Sequence, residues 1–212
     1  MITSDFASIA DLSSTFTGIA SAIRTKTGSS SAFKPAQLAS EILNIPSSAF
    51  ISASIMEENK YKGSNITSYS GNEIAIMYGA FENCTYTLSS VAFPYCKYID
   101  DYAFKNCRFL SYISFPKCEY IGSNTFADCY SLTTANFSEC NYIGSSAFYY
   151  CRFLSSLYLL GSSVVSLANS NAFNYTPLSA IATGKIYVPS SLYNDYIVAT
   201  NWSTISARMV SM

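Results

Sequence analysis

Ala103-Phe104-Lys105-Asn106-Cys107 opens a phrase that runs through Leu110, Ile113 and Phe115-Pro116 to Cys118, Tyr120 and Ile121-Gly122. The next stretch of the 212-residue chain repeats it as Phe126, Cys129, Leu132, Ala135, Phe137, Cys140, Tyr142 and Ile143-Gly144. The preceding stretch supplies Phe81, Cys84, Leu88, Val91, Phe93-Pro94, Cys96, Tyr98 and Ile99. After Phe148 come Cys151, Leu154, Leu157 and Leu159. Phe81, Phe104, Phe126 and Phe148 thus recur at an even interval, the first step one longer than the other two, and every cysteine keeps the same beat. A fixed period of this size predicts a stack of like supersecondary units, none able to bury its apolar face alone.

Within one period, alternation at Tyr112-Ile113-Ser114-Phe115 predicts a short strand, with Ile113 and Phe115 facing one way and Tyr112 and Ser114 the other. Pro94 and Pro116 end their strands because proline cannot donate to a ladder. Gly122 and Gly144 are expected to permit the turn that follows. Stacked in register, such strands form a parallel sheet at about 4.8 Å per turn. The Phe, Leu and Ile positions become internal columns.

The recurring string I-G-x-x-[AT]-F-x-x-C-x-x-L-x-x-[AILV]-x-[FL]-P resembles the BspA-like bacterial leucine-rich repeat from about Ile76 to Leu160, and more loosely to Pro189. The resemblance implies a leucine-rich repeat solenoid: a parallel β-sheet with an irregular or short-helical convex side, in about five to six turns of roughly 22 or 23 residues each. It also implies a surface interaction protein without chemistry of its own. Gly184-Lys185-Ile186-Tyr187-Val188-Pro189 and Asn201-Trp202-Ser203 resemble the endings of such proteins. There Ile186 to Val188 would close the sheet. Ser190 or Ser191 would cap a helix through Tyr193, Tyr196, Ile197 and Trp202.

Residues 1–48 do not follow the period. Ala10, Phe16, Ile19, Ala20 and Ile23, then Leu38, Ile42, Leu43 and Ile45, suggest two helices, broken at Thr27-Gly28-Ser29 and with Pro35 in the first turn of the second. They would form an N-terminal helical cap. The string from Ala22 to Ala39 also resembles a short module of phage tail-associated and prophage proteins, so an attachment module is the other reading. Residues 49–75 form a degenerate lead-in, with Ile66 and Ile76 at column positions and Glu57, Glu58, Lys60 and Lys62 in a mixed-charge loop. The expected organisation is a cap or attachment module (1–48), a solenoid (49–189) and a C-terminal cap (190–212).

Half of the chain is apolar and its net charge is −1, which leaves no basic face for nucleic acid. No apolar run reaches about 18 residues, so no membrane span is expected. Met1 to Ala10 lacks the basic start and apolar stretch of a secretory signal. Either the chain is not exported by that route or a signal has been removed.

Chemistry finds little footing. The chain contains no histidine, which excludes histidine-based triads and Cys-His catalysis. The seven cysteines include no C-x-x-C pair, so no zinc or other metal site is expected; as column positions they are expected to be buried free thiols. Asp100, Asp101 and Asp128 lie at variable turn positions and are expected to be structural. No phosphate loop appears, so no cofactor is expected.

What remains is surface. The outward strand positions Ser90 and Ala92, Tyr112 and Ser114, Thr134 and Asn136, and Ser156 and Tyr158 are expected to line the open face of the sheet as a two-column ligand-binding patch. They vary where the inward positions do not. A secondary candidate is the ladder Tyr98, Tyr120 and Tyr142, expected to face partly outward and either to bind or to brace the stack. The expected function is non-enzymatic binding or adhesion to a protein or glycan at a cell surface or outside the cell. The alternative is a structural or receptor-binding component of a phage tail or prophage particle, and a cytoplasmic location goes with the absent signal.

Overall fold

A computed structural model describes residues 55–179 and 183–212. The expected N-terminal helices, whether cap or attachment module, lie outside the described residues. From Ile55 onward the chain is a parallel β-solenoid of the kind the period predicts.

Each turn contributes strands to two ladders. The first contains β1 (Ile55–Met56), β3 (Ala75–Ile76), β5 (Tyr98–Ile99), β7 (Tyr120–Ile121), β9 (Tyr142–Ile143) and β11 (Ser166–Leu167), paired in that order. The second contains β6 (Tyr112–Ser114), β8 (Thr134–Phe137), β10 (Ser156–Leu159), β12 (Lys185–Val188) and β13 (Met209–Ser211), again neighbour to neighbour and parallel. β2 (Ser68–Ser70) and β4 (Ser90–Ala92) pair separately. The recurring Tyr-Ile pair thus builds the first ladder, separate from the longer strands of the second. A dipeptide has too few residues for a helical turn, but it matches its copies one period away (Tyr98↔Tyr120↔Tyr142).

A third ladder runs through the turn around each phenylalanine. The N–H groups of Tyr102, Phe104 and Asn106 donate to the carbonyls of Ser123, Thr125 and Ala127 in the next turn, at 3.1, 2.9 and 2.7 Å. The N–H groups of Asn124, Phe126 and Asp128 repeat this one turn on. Residues two before and two after Phe81, Phe104, Phe126 and Phe148 hold positive φ, including Gly79 and Asn83, Tyr102 and Asn106, and Asn124 and Asp128. Asparagine, aspartate and glycine suit that region. Gly122 and Gly144 serve a different purpose from the one expected. Their φ is not positive; a Cβ at either would come within 2.6 Å of backbone in the turn before. They are glycines because two turns approach closely there.

Between the ladders lie two aromatic columns. Phe81, Phe104, Phe126, Phe148 and Phe173 stack with centroid spacings of 5.0, 5.3, 5.4 and 5.7 Å and planes within 13°. Phe93, Phe115 and Phe137 form the second column at 5.9 and 6.0 Å. All eight rings are buried. Tyr61 and Tyr69 extend the columns at the N-terminal end, stacking on Phe81 and Phe93 at 5.3 Å each. The lead-in at 49–75 thus contains a full turn whose phenylalanines are replaced by tyrosines.

At the C-terminal end the sheet does not stop at Ile186 to Val188, because β13 adds one more strand. The helix there is also shorter than expected. A 3-10 turn (Ser190–Leu192) leads into α1 (Tyr193–Val198), which ends before Trp202, and neither start has a serine side-chain cap. Trp202 instead precedes a second 3-10 segment (Ser203–Arg208) and closes the phenylalanine column, its ring 5.8 Å from Phe173. Its indole Nε1 donates to the Val165 carbonyl at 2.7 Å. Asn201 Nδ2 donates to the Leu167 carbonyl at 2.7 Å, and the Tyr196 hydroxyl accepts from Val165 N–H at 3.1 Å. These side chains supply the β11 region with hydrogen bonds that another turn would have made.

Phe126→Ala opens a cavity in the middle of a column that cannot collapse without breaking register, and is expected to cost about 3–5 kcal/mol in chemical denaturation. Trp202→Phe keeps most of the packing but strands the Val165 carbonyl, so a loss of about 1–3 kcal/mol is expected. Denaturation curves superimposable on the parent's would refute either assignment.

Candidate binding surface

The second ladder brings together six of the eight sheet-face residues. Tyr112, Thr134 and Ser156 form one register column, and Ser114, Asn136 and Tyr158 the next. Ser90 and Ala92 are not part of that sheet; they are exposed on β4, which pairs with β2. The break coincides with one extra residue between Cys84 and Leu88, which makes that turn longer than the one after it. The sheet face also runs further than the sequence reading placed it. Lys185 follows Ser156 in the first column, and Tyr187 follows Tyr158 in the second, the two rings stacking at 4.5 Å and 10°. The alternation of Lys185-Ile186-Tyr187-Val188 copies that of Ser156-Leu157-Tyr158-Leu159 and was the available signal. Tyr112 is 53% exposed, whereas Ser114, Thr134, Asn136, Ser156 and Tyr158 are half-buried by their neighbours. At the middle of the second column, Asn136 Oδ1 has no hydrogen-bond partner among the described residues.

The tyrosine ladder is a continuous stack through three turns. Tyr98, Tyr120 and Tyr142 stack at 4.8 Å with planes 12° and 7° apart. Tyr98 is buried rather than partly outward, because its hydroxyl turns inward to Asp100 Oδ1 at 3.2 Å; Tyr120 and Tyr142 are half-buried. Burial raises the hydroxyl pKa of all three above the usual phenol range, which removes them as acid–base groups near neutrality.

The adjacent carboxylates are absorbed by the backbone. Asp100 Oδ1 accepts from Asp101 N–H at 2.7 Å, and Asp101 Oδ1 accepts from Ser123 N–H in the next turn at 2.6 Å. Asp128 occupies a positive-φ corner on another column. Among the described residues, no group of three or more His, Cys, Asp or Glu side chains is gathered closely enough to hold a metal ion.

All seven cysteines are buried and unbridged. They do more than fill space. Cys84, Cys107, Cys129 and Cys151 donate back one turn to the carbonyls of Tyr61, Phe81, Phe104 and Phe126 at 3.0–3.2 Å. Cys96, Cys118 and Cys140 donate to the carbonyls of Tyr98, Tyr120 and Tyr142 at 3.2–3.4 Å. Burial raises the pKa of six thiols, Cys140 to about 12. Cys84, at the N-terminal end of its column, is lowered to about 7 by hydrogen bonds from Cys107 and then Ser64.

With this geometry in place, comparison with known proteins is informative. The BspA type leucine-rich repeat region matches residues 74–193 in six copies, more than half of the 212 residues. The chain belongs to the BspA-type leucine-rich repeat family. Repeats of this kind generally mediate protein binding and are generally non-enzymatic, and members are often found at the surface or outside the cell. No curated protein matches the chain. No helix among the described residues is long and apolar enough to cross a membrane.

The six raised thiols predict a direction for alkaline stability. An unfolded thiol ionises near about 8.5, whereas these stay protonated when folded, so the unfolded state binds fewer protons as pH rises. Their stabilisation is complete below that value and is lost above it, by up to about 1.4 kcal/mol per pH unit for each thiol. Cys84 opposes this weakly between its lowered value of about 7 and the unfolded one. Urea midpoints are therefore expected to fall steeply from about pH 8 to pH 10. A flat profile across that range would contradict buried, protonated columns.

Proposed function

We propose that this protein is a non-enzymatic adhesion module, recognising a protein or glycan partner at a cell surface through the outer columns of the second ladder. The observation that carries this reading is the contrast across one strand. Inward positions are held to Ile, Ala, Leu and Ile (Ile113, Ala135, Leu157, Ile186), while their outward neighbours vary freely among Tyr, Thr, Ser and Lys (Tyr112, Thr134, Ser156, Lys185). A rigid scaffold that displays changing side chains suits recognition. Tyrosines with small polar residues make an adaptable contact surface at low entropic cost. The exposed Tyr112 and the Tyr158–Tyr187 stack offer apolar area.

Tyr112→Ala combined with Tyr158→Ala removes ring area from this face without touching an inward column. The double variant is expected to melt within a few degrees of the parent and to lose at least about tenfold in affinity for whichever ligand the intact chain captures on a protein and glycan array. Capture at parental strength by a folded double variant would remove the sheet face from consideration.

A further inference from the structure

The tetrapeptide Cys-Arg-Phe-Leu occurs twice, as Cys107-Arg108-Phe109-Leu110 and Cys151-Arg152-Phe153-Leu154, with one other turn between the copies. The fold uses the cysteine and leucine of each copy, all four fully buried. It does not use the Arg-Phe pair between them. Phe109 and Phe153 are 53% and 64% exposed, and the intervening turn has Ser131 at their position, so packing does not require a ring there. The two arginines are held in place. Their guanidinium carbons lie 5.0 and 5.2 Å from the ring centroid of Tyr130 in the intervening turn, and Arg152 also lies 4.9 Å from Tyr150. Arg108 Nε donates to Asn106 Oδ1 at 2.7 Å. Among the described residues, neither arginine pairs with a carboxylate. Cation–π contact orients a guanidinium but leaves its charge and most of its donors unspent.

We propose that this flank docks an acidic, apolar-bearing segment of a partner protein, Arg108 and Arg152 each taking a carboxylate while Phe109 and Phe153 cover the adjoining aliphatic side chains. The two copies are two turns apart, about 10 Å, which a segment in the polyproline II conformation spans in three residues, with i and i+3 on one face. The recognised segment therefore carries carboxylates at i and i+3, each beside an apolar residue. Arginine and aromatic side chains are the types that dominate interface cores, and guanidinium groups already oriented on Tyr130 lose less freedom on binding. Bare phenyl rings, without a hydroxyl to share with sugar, favour a peptide over an acidic glycan. Phe109 and Phe153 lie three residues before Tyr112 and Ser156, so this flank borders the sheet face but does not depend on it.

The test is fluorescence anisotropy with the intact chain and a labelled peptide carrying two Glu-Leu pairs three residues apart, against a twin with Gln for Glu. Saturable binding is expected for the Glu peptide, at least about tenfold weaker for the twin and weakening as salt is raised. Arg152→Glu, at an exposed position, is expected to lower affinity at least about tenfold with an unchanged melt, and Phe109→Ser with Phe153→Ser to weaken it further. Tyr112→Ala with Tyr158→Ala should leave this peptide bound, which separates a failure here from a failure of the sheet face. Absence of saturable binding, equal affinity for the two peptides, or an Arg152→Glu protein that binds like the parent would overturn the proposal. So would tighter capture of a polyuronate oligosaccharide than of the peptide, lost on the same substitutions.

Discussion

Each turn leaves part of its backbone for its neighbours to satisfy. In the arch around Phe104, alternate N–H groups close within the turn, Lys105 to Tyr102 and Cys107 to Phe104, while those of Tyr102, Phe104 and Asn106 cross to the next turn. An isolated turn would therefore lose these partners as well as expose its apolar face. Three ladders of such bonds fix the axial spacing, and everything else follows from that spacing. Phenylalanines one period apart must stack nearly parallel, thiols must lie within reach of the carbonyl one turn back, and Gly122 and Gly144 must lack a side chain where backbones converge.

This dependence explains why the ends of the described solenoid differ from its middle. A terminal turn has ladder groups with no further turn to meet them. At the C-terminal end the solution is built from side chains: Trp202, Asn201 and Tyr196 reach the backbone of Val165 and Leu167. Ion pairs between turns, such as Lys97–Glu119 at 3.0 Å and Lys62–Glu82 at 2.6 Å, lie at the surface and add little by comparison.

The central turns were legible because identical residues recur at a fixed interval and burial demands it. Phe81 to Phe148, the paired cysteine series and the inward Ile113, Ala135 and Leu157 could be placed from spacing alone. Legibility failed where the interval or residue type changed. Tyr61 and Tyr69 fill phenylalanine positions in a shortened turn, Phe173 follows Phe148 at a longer interval than any before it, and β13 follows an irregular cap. Tyr98 was misplaced for another reason. Its burial depends on a hydroxyl partner, Asp100, that periodicity does not encode. The sheet face was half legible: alternation identified outward positions, but not the ladder break at β4 or the continuation through Lys185 and Tyr187. The Arg-Phe pairs follow no inward column and became visible only through exposure and the Tyr130 contacts.

Because the bonds from Tyr102, Phe104 and Asn106 to the following turn are copied by Asn124, Phe126 and Asp128, neighbouring middle turns are interchangeable in their backbone. A duplication or deletion of one whole repeat unit between Phe104 and Phe148 rejoins like to like. A change of another length must be absorbed in a loop, as the extra residue between Cys84 and Leu88 is, or the later columns fall out of phase. The reach of such a protein can therefore lengthen or shorten only in whole steps of about 4.8 Å, each bringing two outward strand positions whose identity is open to selection. Inheritance acts on this molecule as it does on a ruler, by adding or removing graduations rather than by stretching it.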